Sequence, residues 1–116
     1  MHHSSGSSSA NGLEIEISTR NWLRRWMPAH QVIGIELGMD EISVLTPLKL
    51  KIGQPLRLAI GNRHQRLLDL PAEVIRAEPR GADFLYGIRI RLDDLSQAAR
   101  RSYDTVLKLL QDSVSH

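Results

Sequence analysis

Apolar and polar residues alternate in several short segments of this chain. Between Leu13 and Ser18, the side chains of Leu13, Ile15 and Ile17 share one face and two glutamates share the other, as in a half-buried strand. Five further segments with strand-like patterns are bounded by Gly, Pro or Asn residues: Gln31–Leu37, Glu41–Thr46, Pro55–Ile60, His64–Arg76 and Phe84–Leu92. Short antiparallel strands are stable when their sheet closes on itself, because closure leaves no unpaired edge. The pattern therefore predicts a mainly β protein built on a six-stranded antiparallel barrel, with a bend near Pro71 in its longest strand.

The period of the pattern changes after Asp94. The apolar positions that follow recur at helical spacing, and they are Ala99, Tyr103, Val106, Leu107, Leu110 and Val114. Asp94 and Gln97 have the spacing of a capping box, with Asp94 as the N-cap. We therefore expect one amphipathic C-terminal helix, at about residues 95–113, that covers the mouth of the barrel.

The segment Thr19–His30 breaks the alternation and is predicted to be a long loop. It contains Trp22 and Trp26 among three arginines. Their spacing of four residues predicts a short helical turn that packs both rings over the barrel mouth. Two alternatives remain open. The tryptophans can anchor a protein interface, or they can stack on the bases of a nucleotide.

The length and composition of the chain limit the number of domains and the kinds of site that it can contain. The chain has 116 residues, and the Ser/Gly-rich stretch Met1–Gly12 with its paired histidines is typical of a tag and linker. We therefore expect one domain over residues 13–116. The absence of cysteine excludes disulfides, thiolate zinc sites and a thiol nucleophile, and it fits a reducing, cytoplasmic compartment. No apolar run is long enough to be a membrane segment.

The charge of the chain is modest. The net charge is +2, although twelve of the fifteen basic residues are arginines. A nucleic-acid-binding domain usually carries a concentrated basic face, so we expect no nucleic-acid partner. A small barrel that binds single strands by base stacking is disfavoured by this charge and by the presence of only five aromatic residues.

No group of residues has the pattern of a catalytic or metal site. His30 and His64 lie beside predicted turns and lack ligand spacing, and Glu36, Asp40 and Glu41 lack the spacing of a calcium loop. Ser43 has no glycine-flanked elbow. We therefore expect no enzyme, no catalytic residue, no metal and no cofactor.

Several pieces of the sequence, in order and spacing, resemble a PilZ domain, a bacterial cyclic di-GMP signalling family. These pieces are Ile42–Thr46, Pro47-Leu48, Gly53, Pro55-Leu56-Arg57-Leu58, Val74-Ile75-Arg76, Tyr86-Gly87-Ile88 and Asp93-Asp94-Leu95. The resemblance covers nearly all of residues 13–116. It implies a PilZ-like barrel with a C-terminal helix, and a role in control of motility, pili or exopolysaccharide.

The resemblance also implies where a ligand would bind. The family recognises cyclic di-GMP through Arg-x-x-x-Arg, before its first strand, and Asp/Asn-x-Ser-x-x-Gly. Aligned on the following strand, the second motif falls on residues 36–41, with Glu36, Gly38 and Glu41 in place of Asp/Asn, Ser and Gly. A rival register over residues 41–46 keeps Ser43 but loses the Gly and weakens the downstream match. Arg20 and Arg24 have the spacing of the first motif but follow the first predicted strand, and Arg25 is adjacent.

Two functional hypotheses follow. The first is a PilZ-like regulatory or adaptor domain that contacts a protein of a bacterial signalling or secretion pathway, with weak or no nucleotide binding. It would use the loop with Trp22 and Trp26, or the C-terminal helix, which could also pair two copies into a homo-oligomer. The alternative is a cyclic di-GMP receptor that binds through Arg20, Arg24 and Arg25. We expect the first, because Glu41 places a negative charge where a dianion would approach.

Overall fold

Seven antiparallel strands form one sheet in the computed structural model, which describes residues 8–10 and 12–114. The strands are β1 (Ser8–Ser9), β2 (Glu14–Thr19), β3 (His30–Leu37), β4 (Glu41–Thr46), β5 (Pro55–Gly61), β6 (Arg66–Arg80) and β7 (Asp83–Ile90). A 3-10 helix over Leu92–Asp94 and the helix α1 over Gln97–Val114 complete the fold.

The sheet closes into a barrel. Its strands follow the order β3-β2-β5-β6-β7-β4, and β4 pairs again with β3. The predicted six-stranded antiparallel barrel with a C-terminal helix is confirmed. The structure also pairs Ser8 and Ser9 with Leu37 and Glu36 of β3 and buries Ala10. These three residues fall within the stretch interpreted from sequence as tag and linker; Met1–Ser7 and Asn11 lie outside the described residues.

The core lies inside the barrel and beneath α1. Alternate residues of the strands point inward, as the pattern of β2 predicted, and Tyr103, Leu107 and Leu110 seal one side. The buried apolar strand residues are Ile15, Ile17, Val32, Leu37, Ile42, Val44, Leu56, Leu58, Ile60, Leu67, Leu70, Ala72, Val74, Tyr86, Ile88 and Ile90. This one cluster fixes the orientation of every outward-facing side chain, because a one-residue slip would turn the core face of a strand to solvent.

Two irregularities bend β6. The pairing with β5 shifts between Leu58 and Ile60, opposite Asp69, whose φ of 55° is in the left-handed region. This bulge lies two residues before Pro71, where the sequence predicted a bend. The pairing with β7 shifts between Val74 and Arg76. Because of the extra residue, Val74 points into the core while Arg76 lies on the outer face.

Some predicted strand ends were wrong. β6 begins at Arg66 instead of His64, because the side-chain oxygen of Asn62 accepts hydrogen bonds from the backbone of His64 and Gln65 and holds a turn there. β6 continues past the predicted end at Arg76 to Arg80, and the strand therefore includes Pro79. The turn that follows is tight and uses the positive φ of Gly81, 63°. β7 ends at Ile90, before the 3-10 helix, instead of at Leu92.

The predicted start of the helix was also wrong. The Oγ of Ser96 accepts a hydrogen bond from the backbone N–H of Ala99 at 3.1 Å, so Ser96 caps α1 in place of Asp94. Asp94 instead forms an ion pair with Arg91, with an N–O distance of 2.9 Å. Ala99 is exposed, and the side chain of Val114 lies outside the described residues. In the described part of the chain, no helix has the length and apolar character needed to cross a bilayer.

Candidate functional site

The turn between β3 and β4 lines a shallow depression on the outer surface of the barrel. Its volume is about 260 Å³, and its lining residues are Glu36, Gly38, Met39, Asp40, Glu41, Ser43 and Arg76. The three positions that the resemblance assigned to the second motif, Glu36, Gly38 and Glu41, are therefore together in space. The backbone N–H of Gly38 donates to the carbonyl of Glu41 at 2.8 Å and closes the turn.

One row of residues crosses four strands beside this depression. Glu36 pairs in register with Ser43, Ser43 with Gly87, and Gly87 with Arg76. Gly87 has no side chain, and a Cβ built there would lie 2.7 Å from the Nη2 of Arg76. The guanidinium of Arg76 therefore lies directly against the β7 backbone, where it forms an ion pair with Glu41.

The charges around the depression are mainly negative. Glu36, Asp40 and Glu41 contribute three carboxylates, and Arg76 is the lining residue with a positive charge. The Arg76 cation is already paired with Glu41, whose side chain is one-third exposed. A phosphate that approached this turn would meet unfavourable Coulomb interactions. Within the described ranges, no three His, Asp or Glu residues cluster closely enough to hold a metal ion.

The helix α1 is joined to the same turn. The Tyr103 hydroxyl donates a hydrogen bond to the carbonyl of Met39 at 2.6 Å, and Gln111 Nε2 lies 3.5 Å from the carbonyl of Leu37. Burial raises the pKa of the Tyr103 hydroxyl well above its ordinary value, and the carboxylates of Asp40 and Asp104 raise it further. The neutral, hydrogen-bonded form of Tyr103 is therefore the stable one, and it fixes the helix to the turn.

The loop between β2 and β3 does not form the predicted helical turn. Arg20 and Trp26 pair as an isolated antiparallel bridge, so the loop begins as an extension of the hairpin. The Trp26 ring is half-buried and contacts two guanidinium groups. The Cζ of Arg57 lies 4.8 Å from its centroid and the Cζ of Arg20 lies 5.3 Å away. Such contacts are cation–π interactions. Trp22 lies apart from Trp26 and is 88% exposed.

The structure separates the two groups of candidate ligand residues along β3. Arg20, Arg24 and Arg25 lie in the loop before this strand, and the motif turn follows its last residue. Eight extended residues span about 23 Å at roughly 3.3 Å per residue. The arginines therefore do not line the depression that contains Glu36, Gly38 and Glu41.

Sequence reasoning did not identify Arg76, Gly87 or Arg57 as site residues. Arg76 and Gly87 were noticed only as parts of two strand signatures, Val74–Arg76 and Tyr86–Gly87. A glycine in a strand often marks close approach by another group, and that signal would have suggested a side chain over Gly87. The contact of Arg57 with Trp26 depends on the pairing of β5 with β2, and no local pattern encodes it.

Comparisons with known proteins support the fold. No sequence model of a protein family matches the chain, and a search of curated proteins found no match. Among solved structures, YcgR of Escherichia coli in complex with c-di-GMP matches with a TM-score of 0.66 and 13% identity, covering 94% of this chain and 46% of YcgR. The Bacillus subtilis inhibitor of motility, MotI/DgrA, matches with a TM-score of 0.65 and 13% identity, covering 97% of this chain and 52% of MotI/DgrA. This chain spans about half of each neighbour. Its fold is PilZ-like.

Proposed function

We propose that this domain is a regulatory or adaptor module of cyclic di-GMP-linked signalling that acts through protein contacts and binds the nucleotide weakly or not at all. Two neighbours of the same fold support the signalling context. One is recorded in complex with c-di-GMP and the other is an inhibitor of motility. The proposal assigns binding to the domain and no catalysis.

The charge of the motif turn carries the proposal. A dinucleotide with two phosphates needs guanidinium forks that are available to it. At the depression, Arg76 is paired with Glu41, and Glu36 and Asp40 add two further carboxylates. The exposed arginines of the β2–β3 loop lie at the other end of β3, a strand that is about 23 Å long. This arrangement favours exclusion of a dianion from the turn.

Two surfaces are available for a protein partner. One is the β2–β3 loop, in which Trp22 is 88% exposed and the half-buried Trp26 contacts Arg57. The other is the outer face of α1, on which Leu109 is 44% exposed. A partner from a bacterial signalling or secretion pathway would bind one of these surfaces, and pairing of two α1 helices would give a homo-oligomer.

Calorimetric titration with cyclic di-GMP tests the proposal. We expect no saturable heat with the protein at about 50 μM. Weak binding with a Kd near 1 mM corresponds to only about 4 kcal/mol, and it would leave most of the protein unbound at that concentration. The titration of the native protein is compared with that of Glu41→Gln, because this variant keeps the size of the side chain but removes its charge. Micromolar binding that is lost in Arg20→Ala or Arg24→Ala would overturn the proposal and establish the receptor alternative. Arg63→Ala, an exposed arginine of the β5–β6 turn, is the matched control.

A further inference from the structure

The tip of the β2–β3 loop exposes three large apolar side chains within six residues. Trp22 is 88% exposed, Leu23 52% and Met27 42%. Clustered exposed apolar groups of this size usually mark a surface that is covered by something else. Tryptophan is the side chain that accumulates at the boundary between lipid and water, because its ring is apolar and its N–H can still donate.

The loop itself carries charges of a single sign. Residues 17–35 contain no aspartate or glutamate, whereas Arg20, Arg24 and Arg25 all lie within them and are all exposed. In the described part of the chain, none of these three guanidinium groups forms an ion pair with a carboxylate. The apolar tip is therefore flanked by three cations, none of which is paired with a carboxylate in the described part of the chain.

The tip is held in one conformation by its own hydrogen bonds. The side-chain oxygen of Asn21 accepts from the backbone N–H groups of Leu23 and Arg25 at 2.9 and 3.0 Å. The backbone N–H of Asn21 donates to the carbonyl of Arg25 at 2.9 Å, and Arg24 takes a left-handed φ of 61°. Below the tip, the Trp26 ring contacts the guanidinium groups of two arginines. Trp22 therefore projects from an ordered turn, and docking would need little further ordering of the loop.

We propose that the β2–β3 loop docks on an anionic lipid bilayer, with Trp22 and Leu23 at the interface and Arg24 and Arg25 on lipid phosphates. The size of the loop favours a bilayer over a protein. A specific protein interface covers about 800 Å² on each partner, more than the projecting tip of one short loop supplies. A bilayer needs no shaped pocket and attracts apolar residues flanked by cations. The proposal goes beyond the proposed function and assigns the protein contact to α1.

Co-sedimentation with vesicles tests this docking. The probes are vesicles of equal parts phosphatidylglycerol and phosphatidylcholine, and vesicles of phosphatidylcholine alone, at low and physiological salt. We expect binding to the anionic vesicles only, weakened by salt. Each arginine near an anionic surface contributes about fivefold in affinity, so Arg24→Gln with Arg25→Gln should weaken binding roughly 25-fold. The matched control, Arg63→Gln with Arg101→Gln, removes the same charge from exposed sites elsewhere and should change binding less than about threefold.

Tryptophan emission locates the inserted residue, because the chain has only Trp22 and Trp26. In Trp26→Phe protein, the emission of Trp22 should shift to the blue on the anionic vesicles. In Trp22→Phe protein, the emission of Trp26 should not shift. The proposal is overturned by absence of binding to anionic vesicles, which would leave the loop to a protein partner. It is equally overturned if the control pair weakens binding as much as the loop pair, or if Trp22→Ala leaves binding unchanged. None of these outcomes depends on cyclic di-GMP, so they are separate from the calorimetric test.

Discussion

The hydroxyl of Tyr103 should stabilise the fold at neutral pH and lose that effect in alkali. Tyr103 is 1% exposed and donates its proton to the carbonyl of Met39 at 2.6 Å. The substitution Tyr103→Phe keeps the buried ring and removes this bond. An intramolecular hydrogen bond contributes about 1 kcal/mol net to the free energy of unfolding. In a domain of this size that loss lowers Tm by about 5 °C.

The pH dependence follows from the direction of the pKa shift. Burial raises the pKa of Tyr103 in the folded state, and the carboxylates of Asp40 and Asp104 add to the shift. Below pH 10 both states keep the proton, so the stabilisation is fully present. Above pH 10 the unfolded chain releases the proton while the folded chain keeps it, and the free energy of unfolding falls by about 1.4 kcal/mol for each pH unit. The advantage of the native protein over Tyr103→Phe should therefore vanish near pH 11.

Urea unfolding followed by far-ultraviolet circular dichroism measures both effects. The native protein and Tyr103→Phe are compared at pH 8 and at pH 11, and the difference between them cancels the effects of pH that are common to both proteins. Tyr103→Leu is a control that removes the ring and should cost more at both pH values. A difference between native protein and Tyr103→Phe that is the same at pH 8 and pH 11 would refute the assignment of a buried, protonated Tyr103.

Three further substitutions test other parts of the structure. Gly34→Ala should lower the free energy of unfolding by about 1–3 kcal/mol, because the new Cβ would overlap the Cδ1 of buried Ile15 and lie 2.9 Å from the Cβ of buried Ala10. A cost below about 0.5 kcal/mol in thermal unfolding would contradict this packing. Tyr86→Phe should cost about 2 kcal/mol, since its hydroxyl makes two hydrogen bonds with the backbone of the β4–β5 loop, and hydrogen exchange in that loop should rise. In a double-mutant cycle, Arg76→Gln and Glu41→Gln should couple by about 0.2–1 kcal/mol, the range for a partly exposed pair, and strict additivity would exclude the ion pair.

The period of the sequence predicted the barrel because the core is made from one inward face of each strand. Ile15 and Ile17 in β2, and Ile88 and Ile90 in β7, are buried where alternation placed them. The ends of elements were harder to predict. Ser96 and Asp94 are both good caps, and the cap spacing alone does not show that Ser96 caps the helix while Asp94 pairs with Arg91.

The site was predictable only in part. Five of the seven lining residues, Glu36, Gly38, Met39, Asp40 and Glu41, were predictable together because they are close in sequence at one tight turn. The position of Arg76 depends on a bulge in β6 and on the bare backbone at Gly87, two residues from different strands. The helical turn predicted for the two tryptophans was wrong. A bridge between Arg20 and Trp26 extends the hairpin there, although the spacing alone favoured a helical turn.

Under the proposed function, the carboxylates and the Arg76–Glu41 pair close the β3–β4 turn to an anionic nucleotide. Two-dimensional ¹H–¹⁵N spectra of the labelled protein, recorded with a tenfold excess of cyclic di-GMP, test this claim residue by residue. We expect the chemical shifts of the Gly38, Glu41 and Gly87 amides to remain unchanged. Saturable shifts of these three signals, with a change at the Arg76 side chain, would contradict it.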